Sequence, residues 1–582
     1  MASLRAFFRA LLRHRTTPSL RTLEAKAELL KPSDWLVLSV LGAVMAFATA
    51  SMLASISLAL AVEVPAHGGT YTEGLSESPR FLNPLLAISN TDRDLTTLVF
   101  SGLLRANHDG SLEYDLANAY TVSDDRLTYT FTLDSRARFH DGTPVTAEDV
   151  AFTIQESKNP DIKSPRRADW EGVSVEVLDP KTVSFTLKSP YAPFLENMTL
   201  GILPKHIWEN VTPEEFPFST VNAHPIGSGP YKVESMKQNS SGIPVEYRLK
   251  AVTEGTRIPY IERFIFKVYA NADELKSALN KGEIGAVHSI STSGLVGAYT
   301  TNEAVFGRIF SVFFNQNQNK IFAEKSVRHA LDRAVDKEML VSTILEGHGS
   351  VIDGPLPPDS IASALKDERS AETRIAEAQA ILVKAGWKAG EDGVFKKTTG
   401  SGKSKQTVRL SFSLSTSNIP ELKRSAELVA EDWRKVGAEV ELKFFDQNDL
   451  NVGVIRPRKY DALLFGLVIG RDLDLFAFWH SSQRNDPGLN IGLYATVDVD
   501  KKLETLRTET DPSLRLEKAH AVAEDIADDS AAVFLYTPYF VYVTPPNLSG
   551  VTLRTIGTPS DRFNAVDMWY LKTERVWPIF RK

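Results

Sequence analysis

The 582-residue sequence contains no cysteine. Disulfides, thiolate metal sites and cysteine nucleophiles are therefore excluded, and so is attachment to a membrane through a lipidated N-terminal cysteine. The eleven histidines are scattered along the chain and form no close metal-ligand spacing. We therefore expect neither a metal site nor a cofactor.

Recognisable catalytic motifs are also missing: the sequence has no GxSxG elbow, no HExxH and no Cys-His pair. The acidic group Glu524, Asp525, Asp528 and Asp529 has the pattern of a solvated helix face. These absences favour a protein that is not an enzyme and has no catalytic residues. A cell-wall hydrolase stays open as an alternative, because the two carboxylates of a glycosidase are separated in sequence.

Charge is distributed unevenly. Residues 1–34 hold seven basic and three acidic side chains, whereas the whole chain has a net charge of −7. Basic stripes with interleaved aromatic residues, which mark nucleic-acid binding, do not occur. We expect no nucleic-acid partner.

A single long hydrophobic run interrupts the polar sequence. Residues 35–62 contain no charged side chain, and as a helix they would extend roughly 42 Å, more than the hydrocarbon core of a bilayer requires. This length predicts a retained transmembrane helix or uncleaved signal anchor. Positive charge before the helix predicts a cytoplasmic segment 1–34 and everything beyond the helix outside the cell membrane. Cleavage after Ala59-Leu60-Ala61 remains the alternative.

The most informative stretch lies at residues 119–154. Apolar and threonine residues alternate over 127–133, which predicts a half-buried strand. Asp141-Gly142-Thr143-Pro144 has turn chemistry. Thr146 can then cap a helix whose positively polarised first turn contains Glu148 and Asp149.

Strands and helices alternate from Gly68 onward without a long linker. Helical spacing over 421–436 predicts a helix ended by Gly437, with Trp433 in the core. The strand-like runs include 182–188, 245–251, 408–414 and 439–445. Mixed content of this kind predicts an α/β protein with helices on both faces of its sheets.

Several segments resemble one family in its own order. FHDGTPVTAEDV at 139–150, PIGSGPYKV at 225–233, SVRHALDRAVDKEMLV at 326–341 and YDALLFGLVIGRDLDLFAFW at 460–479 are similar to segments of the oligopeptide/dipeptide-type solute-binding proteins of ABC importers, solute-binding protein family 5. The resemblance covers essentially residues 68–571.

The resemblance implies a two-lobed, periplasmic-binding-protein-like (Venus flytrap) α/β fold with mixed sheets and an extra family-specific subdomain. Sequence order would place 68–91, 219–307 and 535–571 in lobe I, 92–218 in lobe II and 308–534 in lobe III. Closure around ligand would then be a hinge motion.

The resemblance also implies a ligand site. In peptide-binding members the extended ligand adds to a cleft strand through backbone hydrogen bonds, which points to Gly466 and Val468 here. The acid that pairs with the peptide's free amine corresponds to Gly470, so Asp472, on the same side of an expected strand, is the candidate replacement, with Asp474 a further possibility. Outside this segment, the residues that the resemblance aligns with cleft positions are Asn90 and Tyr536, for which core or hinge packing is the alternative.

The implied function is that of the extracytoplasmic binding component of an ABC importer, a monomer that captures oligopeptides and delivers them to membrane permease subunits served by cytoplasmic ATPase subunits. Three alternatives stay open beside it. The solute could be a sugar, metal chelate or haem; the protein could sense peptides without transport; or it could be the cell-wall hydrolase named above.

Overall fold

The computed structural model describes residues 31–577 except 108–109, 290, 360, 364–365, 367–368 and 401–405. Most of the basic segment 1–34 and residues 401–405 therefore lie outside the described residues. Two compact units are present: residues 1–66 with 572–582, and residues 67–571.

The α-helices, in chain order, are α1 (Pro32–Leu60), α2 (Asn90–Val99), α3 (Ala147–Lys158), α4 (Lys205–Trp208), α5 (Ala272–Asn280), α6 (Lys325–Ala334), α7 (Lys337–Ile344), α8 (Ala371–Lys384), α9 (Pro420–Val436), α10 (Gln447–Asp449), α11 (Phe476–Trp479), α12 (Val497–Thr508) and α13 (Pro512–Asp528). Helix α1 contains a stretch, Pro32–Leu53, long and apolar enough to cross a membrane, and that stretch is not buried in the protein.

The strands, in chain order, are β1 (Val62–Ala66), β2 (Thr70–Leu75), β3 (Leu104–Ala106), β4 (Leu112–Tyr114), β5 (Ala117–Val122), β6 (Thr128–Leu133), β7 (Ser174–Asp179), β8 (Thr182–Thr186), β9 (Tyr231–Gln238), β10 (Pro244–Ala251), β11 (Arg263–Val268), β12 (Val287–His288), β13 (Thr300–Phe306), β14 (Arg308–Phe314), β15 (Gly349–Val351), β16 (Lys388–Ala389), β17 (Phe395–Thr399), β18 (Gln406–Arg409), β19 (Ser411–Ser417), β20 (Glu439–Phe445), β21 (Ala462–Val468), β22 (Ala532–Thr544), β23 (Thr555–Ile556) and β24 (Lys572–Val576).

Three sheets organise the second unit. Two have four strands, in the orders β2-β11-β10-β9 and β5-β6-β8-β7, and their buried residues belong to one continuous core. The third has nine strands, in the order β20-β19-β21-β14-β22-β13-β23, with β12 and β15 also paired to β22. Parallel and antiparallel pairs occur together, so the predicted α/β class with mixed sheets is confirmed.

The nine-stranded sheet has helices on both faces in its β20-to-β22 half. One core contains residues of α6, α8 and α9, and a second core on the opposite face contains residues of α12 and α13. Helix α9 ends at Gly437, whose φ of 104° is the left-handed conformation expected of a glycine cap. Trp433 is fully buried and donates from its indole nitrogen to Leu331 O at 2.9 Å. Both predictions for this helix are confirmed.

Strand β22 joins the two halves of the large sheet. Its first residues, up to Tyr536, pair with β14, and its last six pair with β13. Gly307, which lies between β13 and β14, is beside the part of β22 where the partner strand changes. The chain therefore passes between the two halves at two neighbouring points, close to the boundaries 307/308 and 534/535 expected from sequence, and the division into three lobes stays a prediction.

The turn motif at 139–146 has a structural role. Thr146 caps α3 in a reciprocal capping box with Asp149, as its sequence predicts. His140 ties this turn to the glycine-rich motif at 225–233: its Nδ1 accepts from Gly227 N–H at 3.2 Å, and its Nε2–H donates to Gly229 O at 3.0 Å. Because Nδ1 accepts a hydrogen bond, the ring is neutral with its proton on Nε2. Burial lowers the pKa of His140 to about 4.

This neutral histidine predicts acid sensitivity. A folded-state pKa below the ordinary value of 6.5 means that the unfolded chain binds the proton more tightly, so the stabilisation is complete above pH 6.5 and is lost as pH falls towards 4. His140 is partly exposed, and solvent weakens the effect of such a shift on stability. We therefore expect this histidine alone to lower the free energy of unfolding by about 2 kcal/mol between pH 7.5 and 4.5.

Urea unfolding at both pH values measures this loss. His140→Gln, which cannot gain the proton, should show a pH dependence flatter by about that amount. His520→Gln removes an imidazole whose side chain is 45% exposed and should behave like the unmodified protein. Equal pH dependence in all three proteins would contradict the role given to His140.

Candidate functional site

A polar cavity of about 520 Å³ lies where separate stretches of the chain meet. Its walls come from residues 84–97, which include most of α2, from 165–201, from 468–472 at and just after the end of β21, and from 557–561. Charged side chains of both signs line it, which suits a solute that carries charge. A cavity of this size is in the ordinary range for small-molecule ligands.

The Asp472 carboxylate lies where a side chain at position 470 would lie. A Cβ built on Gly470 would overlap Asp472 Oδ1. The expectation that both lie on a strand is wrong, because β21 ends at Val468 and a turn follows in which Leu473 N–H donates to Gly470 O at 3.1 Å. The turn, with Leu473 at a φ of 53°, folds the Asp472 carboxylate back over Gly470.

The Asp472 carboxylate has no cationic side chain in contact among the residues that the structure describes. It accepts a long hydrogen bond, of 3.4 Å, from Asp474 N–H. Burial, together with the neighbouring carboxylates Asp474 and Glu196, raises the pKa of Asp472 to about 6. Asp474, by contrast, is paired with Arg507 at 2.8 Å. A cationic group of a ligand would meet an unpaired acid at Asp472.

Arg471 joins three stretches of the cavity wall. Its Nη2 donates to Glu196 at 2.8 Å, and its Nη1 donates to Asp561 at 3.0 Å. Asp561 in turn accepts from Gly557 N–H at 2.8 Å. Arg471 therefore neutralises two acids of the cavity and links residues that are hundreds of positions apart in sequence.

Two further arginines face the cavity from another wall. Arg166 is paired with Asp169 at 3.0 Å. Arg93 lies in the first turn of α2, and burial together with the neighbouring Arg166 guanidinium lowers its pKa. Two cations close together in one cavity repel, so an anionic group of a ligand would be stabilised there.

Strand β21 leaves an edge open beside the cavity. β14 pairs with all of β21, whereas β19 pairs with β21 only at Ala462 and Leu463. Ile469 N–H donates to Gly307 O at 2.8 Å, so by alternation the backbone groups of Gly466 and Val468 point away from β14. From Phe465 on, no described strand pairs with that edge.

The other residues predicted for the site lie elsewhere. Asn90 is the exposed first residue of α2, one turn before the cavity residues of that helix. Tyr536 is fully buried in β22, donates to or accepts from Ser425 Oγ at 2.9 Å, and stacks on Phe310. Val468 and Asp472 line the cavity, and ligand contact by any of the five predicted residues stays a prediction.

Sequence reasoning missed Arg471, Glu196 and Arg93 as cavity residues. Arg471 had a usable signal, because it lies between Gly470 and Asp472 in the segment already singled out. Glu196 and Arg93 had none, since each reaches the cavity only through the packing of distant elements.

A buried ion cluster joins α2 to residues 559–562 next to the cavity wall. Arg562 uses all five N–H groups: it contacts Glu73 at 2.6 and 3.2 Å, Asp94 at 2.7 and 2.8 Å, and the carbonyl of Pro559 at 2.6 Å. Glu73 also accepts from Tyr542 at 2.7 Å. Burial opposes ionisation of Asp94, yet the Arg562 guanidinium holds the pKa of that carboxyl well below its usual range.

Metal binding has no support in the part of the chain that the structure describes, where no group of three or more His, Cys, Asp or Glu side chains could hold an ion. The site therefore offers a cavity with a free carboxylate, a basic wall and an open strand edge. This combination would suit a charged, extended solute.

Comparison with known proteins gives a consistent picture. The sequence model of the bacterial extracellular solute-binding proteins, family 5 Middle, matches residues 111–487. The chain is 28% identical over 549 residues to the oligopeptide-binding protein AppA of Bacillus subtilis, covering 92% of this chain and 97% of that one.

Two solved structures are similar over nearly their whole length. AppA from Bacillus subtilis in complex with a nonapeptide has a TM-score of 0.64 and 27% identity, covering 88% of this chain and 100% of that one. NikZ from Campylobacter jejuni in complex with Ni(L-His) has a TM-score of 0.64 and 28% identity, covering 86% and 99%.

Proposed function

Because this chain belongs to family 5 of the bacterial extracellular solute-binding proteins, we propose that it captures oligopeptides outside the cytoplasm and delivers them to the permease of an ABC importer. The peptide adds to the open edge of β21, with backbone hydrogen bonds to Gly466 and Val468. Its α-amine pairs with Asp472, and its carboxylate end faces Arg93 and Arg166.

The observation that carries this proposal is the unpaired carboxylate of Asp472 beside the free edge of β21. A buried charge without a partner is costly, so its retention favours a cationic ligand group. Strand addition supplies affinity that does not depend on side-chain identity. AppA, which is similar over most of its length, is described as an oligopeptide-binding protein, and this likeness supports the same solute class here.

Native mass spectrometry of the purified full-length protein tests the solute class. We expect co-purified masses that fragment as peptides, and calorimetric binding of short peptides with free termini. A single co-purified mass that fragments as a sugar, metal chelate or haem would overturn the peptide proposal and favour the non-peptide alternative. Binding of peptides without any associated permease would favour a sensing receptor instead.

Ligand capture should bring the 92–218 segment and the β20-to-β22 half of the large sheet closer together. Arg471 already links Glu196 and Asp561 across the cavity, and ligand would add contacts on both sides. Since the chain has no cysteine, spin labels at Glu176→Cys and Glu441→Cys would be the only labels present. We expect a shorter and narrower distance distribution with peptide than without.

Two controls accompany the distance measurement. A label pair at Glu176→Cys and Glu214→Cys lies within the 92–218 segment and should not respond. Arg471→Gln should weaken peptide binding several-fold and leave the distance distribution broad, because the bridge across the cavity is lost. An unchanged 176–441 distance at proven saturation would exclude hinge closure.

The N-terminal helix should remain on the mature protein. Helix α1 continues to Leu60, well beyond the apolar stretch Pro32–Leu53, so we propose that it anchors the chain with residues 62 onward outside. The native protein should sediment with membranes and begin near Met1 on N-terminal sequencing. A start near Val62 would establish signal-peptide cleavage instead.

A further inference from the structure

Arg308 is the first residue of β14 and lies beside the cavity. In the antiparallel register it is directly opposite Val468, and Phe310 is directly opposite Gly466. The side chains of directly opposed residues share one face of a sheet. Val468 lines the cavity and is 47% exposed. Arg308 therefore shares the face of a cavity residue, one strand away from the open edge of β21.

The packing of neighbouring residues confirms this orientation. Ile309 belongs to the core that contains residues of α12 and α13, whereas Phe310 packs against the opposite core, which contains residues of α6, α8 and α9. Alternation along the strand puts Arg308 on the face of Phe310. Leu464, on β21, belongs to the same core, and Val468 follows it on that face four positions later. Arg308 and Val468 thus extend this face of the sheet from the core to the cavity.

The Arg308 guanidinium has no acidic partner. Among the residues that the structure describes, none forms an ion pair or a hydrogen bond with it, and its Cζ atom lies 4.9 Å from the centre of the Phe306 ring. Burial alone lowers the pKa of Arg308. Arg471, by contrast, is paired with two acids. A partly buried cation without a counter-ion is costly, so its retention favours an anionic group supplied from outside the protein.

A peptide on the edge of β21 would bring such a group within reach. Neighbouring strands are about 4.8 Å apart, so the ligand strand would lie roughly 10 Å from β14, with β21 between them. The ligand residue opposite Val468 would place its side chain on the same face as Arg308. Valine is short, and an arginine and an acidic side chain are together long enough to meet across it.

We propose that Arg308 selects ligands with an acidic side chain, by pairing with the carboxylate of the ligand residue opposite Val468. This inference rests on the proposed binding of peptides along β21. It adds a side-chain preference to a binding mode in which the backbone otherwise supplies the affinity. A planar guanidinium can engage a carboxylate through two parallel hydrogen bonds, which an amide side chain cannot reproduce. Peptides with aspartate or glutamate at this position are therefore preferred to their amide counterparts.

Calorimetry with matched peptides tests the preference. Alanine pentapeptides with free termini would contain Glu or Gln at each of the first four positions in turn. At one position, we expect the unmodified protein to bind the Glu peptide at least about tenfold more tightly than the Gln peptide. Arg308→Met should remove this difference and leave binding of the Gln peptide unchanged.

Two further variants serve as controls. Arg308→Lys keeps the charge and should retain part of the preference. Arg424→Met removes an arginine whose side chain is 49% exposed and should retain all of it. Equal binding of Glu and Gln peptides at every position, or a preference that survives Arg308→Met, would overturn the proposal.

Two measurements without peptide separate this proposal from the proposed function. Because methionine keeps an aliphatic stem and removes an unpaired cation, Arg308→Met should raise the unfolding temperature of the ligand-free protein by about 2 °C or more, whereas Arg424→Met should not. Millimolar N-acetylglutamate should raise the unfolding temperature of the unmodified protein more than N-acetylglutamine does, and Arg308→Met should abolish this difference.

The two proposals fail in different ways. If both thermal results are obtained but no peptide binds, the peptide proposal fails and the pairing of Arg308 with a carboxylate stands. If peptides bind, but Arg308→Met lowers the unfolding temperature and N-acetylglutamate acts no more strongly than N-acetylglutamine, Arg308 has a structural role and the inference is overturned.

Discussion

Replacing Arg562 with methionine is expected to lower the free energy of unfolding by about 3–5 kcal/mol. The guanidinium, Glu73 and Asp94 are all inaccessible to solvent. Removing one member of such a buried group leaves two carboxylates without their cation, which costs far more than the net value of the intact group. Methionine fills much of the volume, so the loss is electrostatic rather than a cavity effect.

Arg409→Met is a matched control on the surface. Arg409 also bridges two carboxylates, Asp392 at 2.6 Å and Glu439 at 3.1 Å, but its side chain is 39% exposed. Solvent screens such pairs, so this substitution should cost less than about 1 kcal/mol. Chemical denaturation monitored by tryptophan fluorescence measures both values.

A triple variant shows whether unpaired charge causes the loss. Adding Glu73→Gln and Asp94→Asn to Arg562→Met removes both buried charges and should recover a large part of the stability. No recovery, or equal losses at Arg562 and Arg409, would contradict the electrostatic explanation. Because α2 and residues 557–561 both line the cavity, peptide affinity should fall and recover together with stability.

Local features of the fold could be predicted from sequence because their causes are local. The Thr146 cap of α3 depends on residues three positions apart, and the Gly437 end of α9 depends on one residue that tolerates a positive φ. Strand β20 was predicted at 439–445 and is observed at Glu439–Phe445. A run predicted at 408–414 is instead divided between β18 and β19 at Leu410, which is fully buried.

Long-range features could not be predicted in the same way. Arg562 is separated from Glu73 by 489 positions and from Asp94 by 468, and no periodicity connects them. Asp472 was selected for a reason that proved wrong, strand alternation, and it reaches the position of the missing Gly470 side chain through a turn. Single-sequence patterns identify which residues are available, whereas packing decides which of them meet.

Asp472→Asn is expected to weaken binding of free-amine peptides by at least about tenfold, since a charge-assisted hydrogen bond contributes roughly 1.5–3 kcal/mol. N-acetylated peptides should bind the variant and the unmodified protein equally. Calorimetry with matched free and acetylated peptides measures both. Asp474→Asn is the matched comparison: Arg507 already engages that acid, so the effect should be smaller. A larger effect at Asp474 would move the amine anchor there.

The acid's position in space, rather than in sequence, should decide affinity. A double variant, Gly470→Asp with Asp472→Gly, moves the acid back to position 470. It should recover most of the binding that Asp472→Gly alone removes, because the Gly470 Cβ direction leads to the Asp472 carboxylate.

The pKa of Asp472, near 6, gives a second test of its role. An amine favours the ionised acid, so affinity for free-amine peptides should fall up to tenfold per pH unit below 6, while acetylated peptides show no such slope. Equal pH profiles for both peptides would mean that Asp472 does not bind the amine.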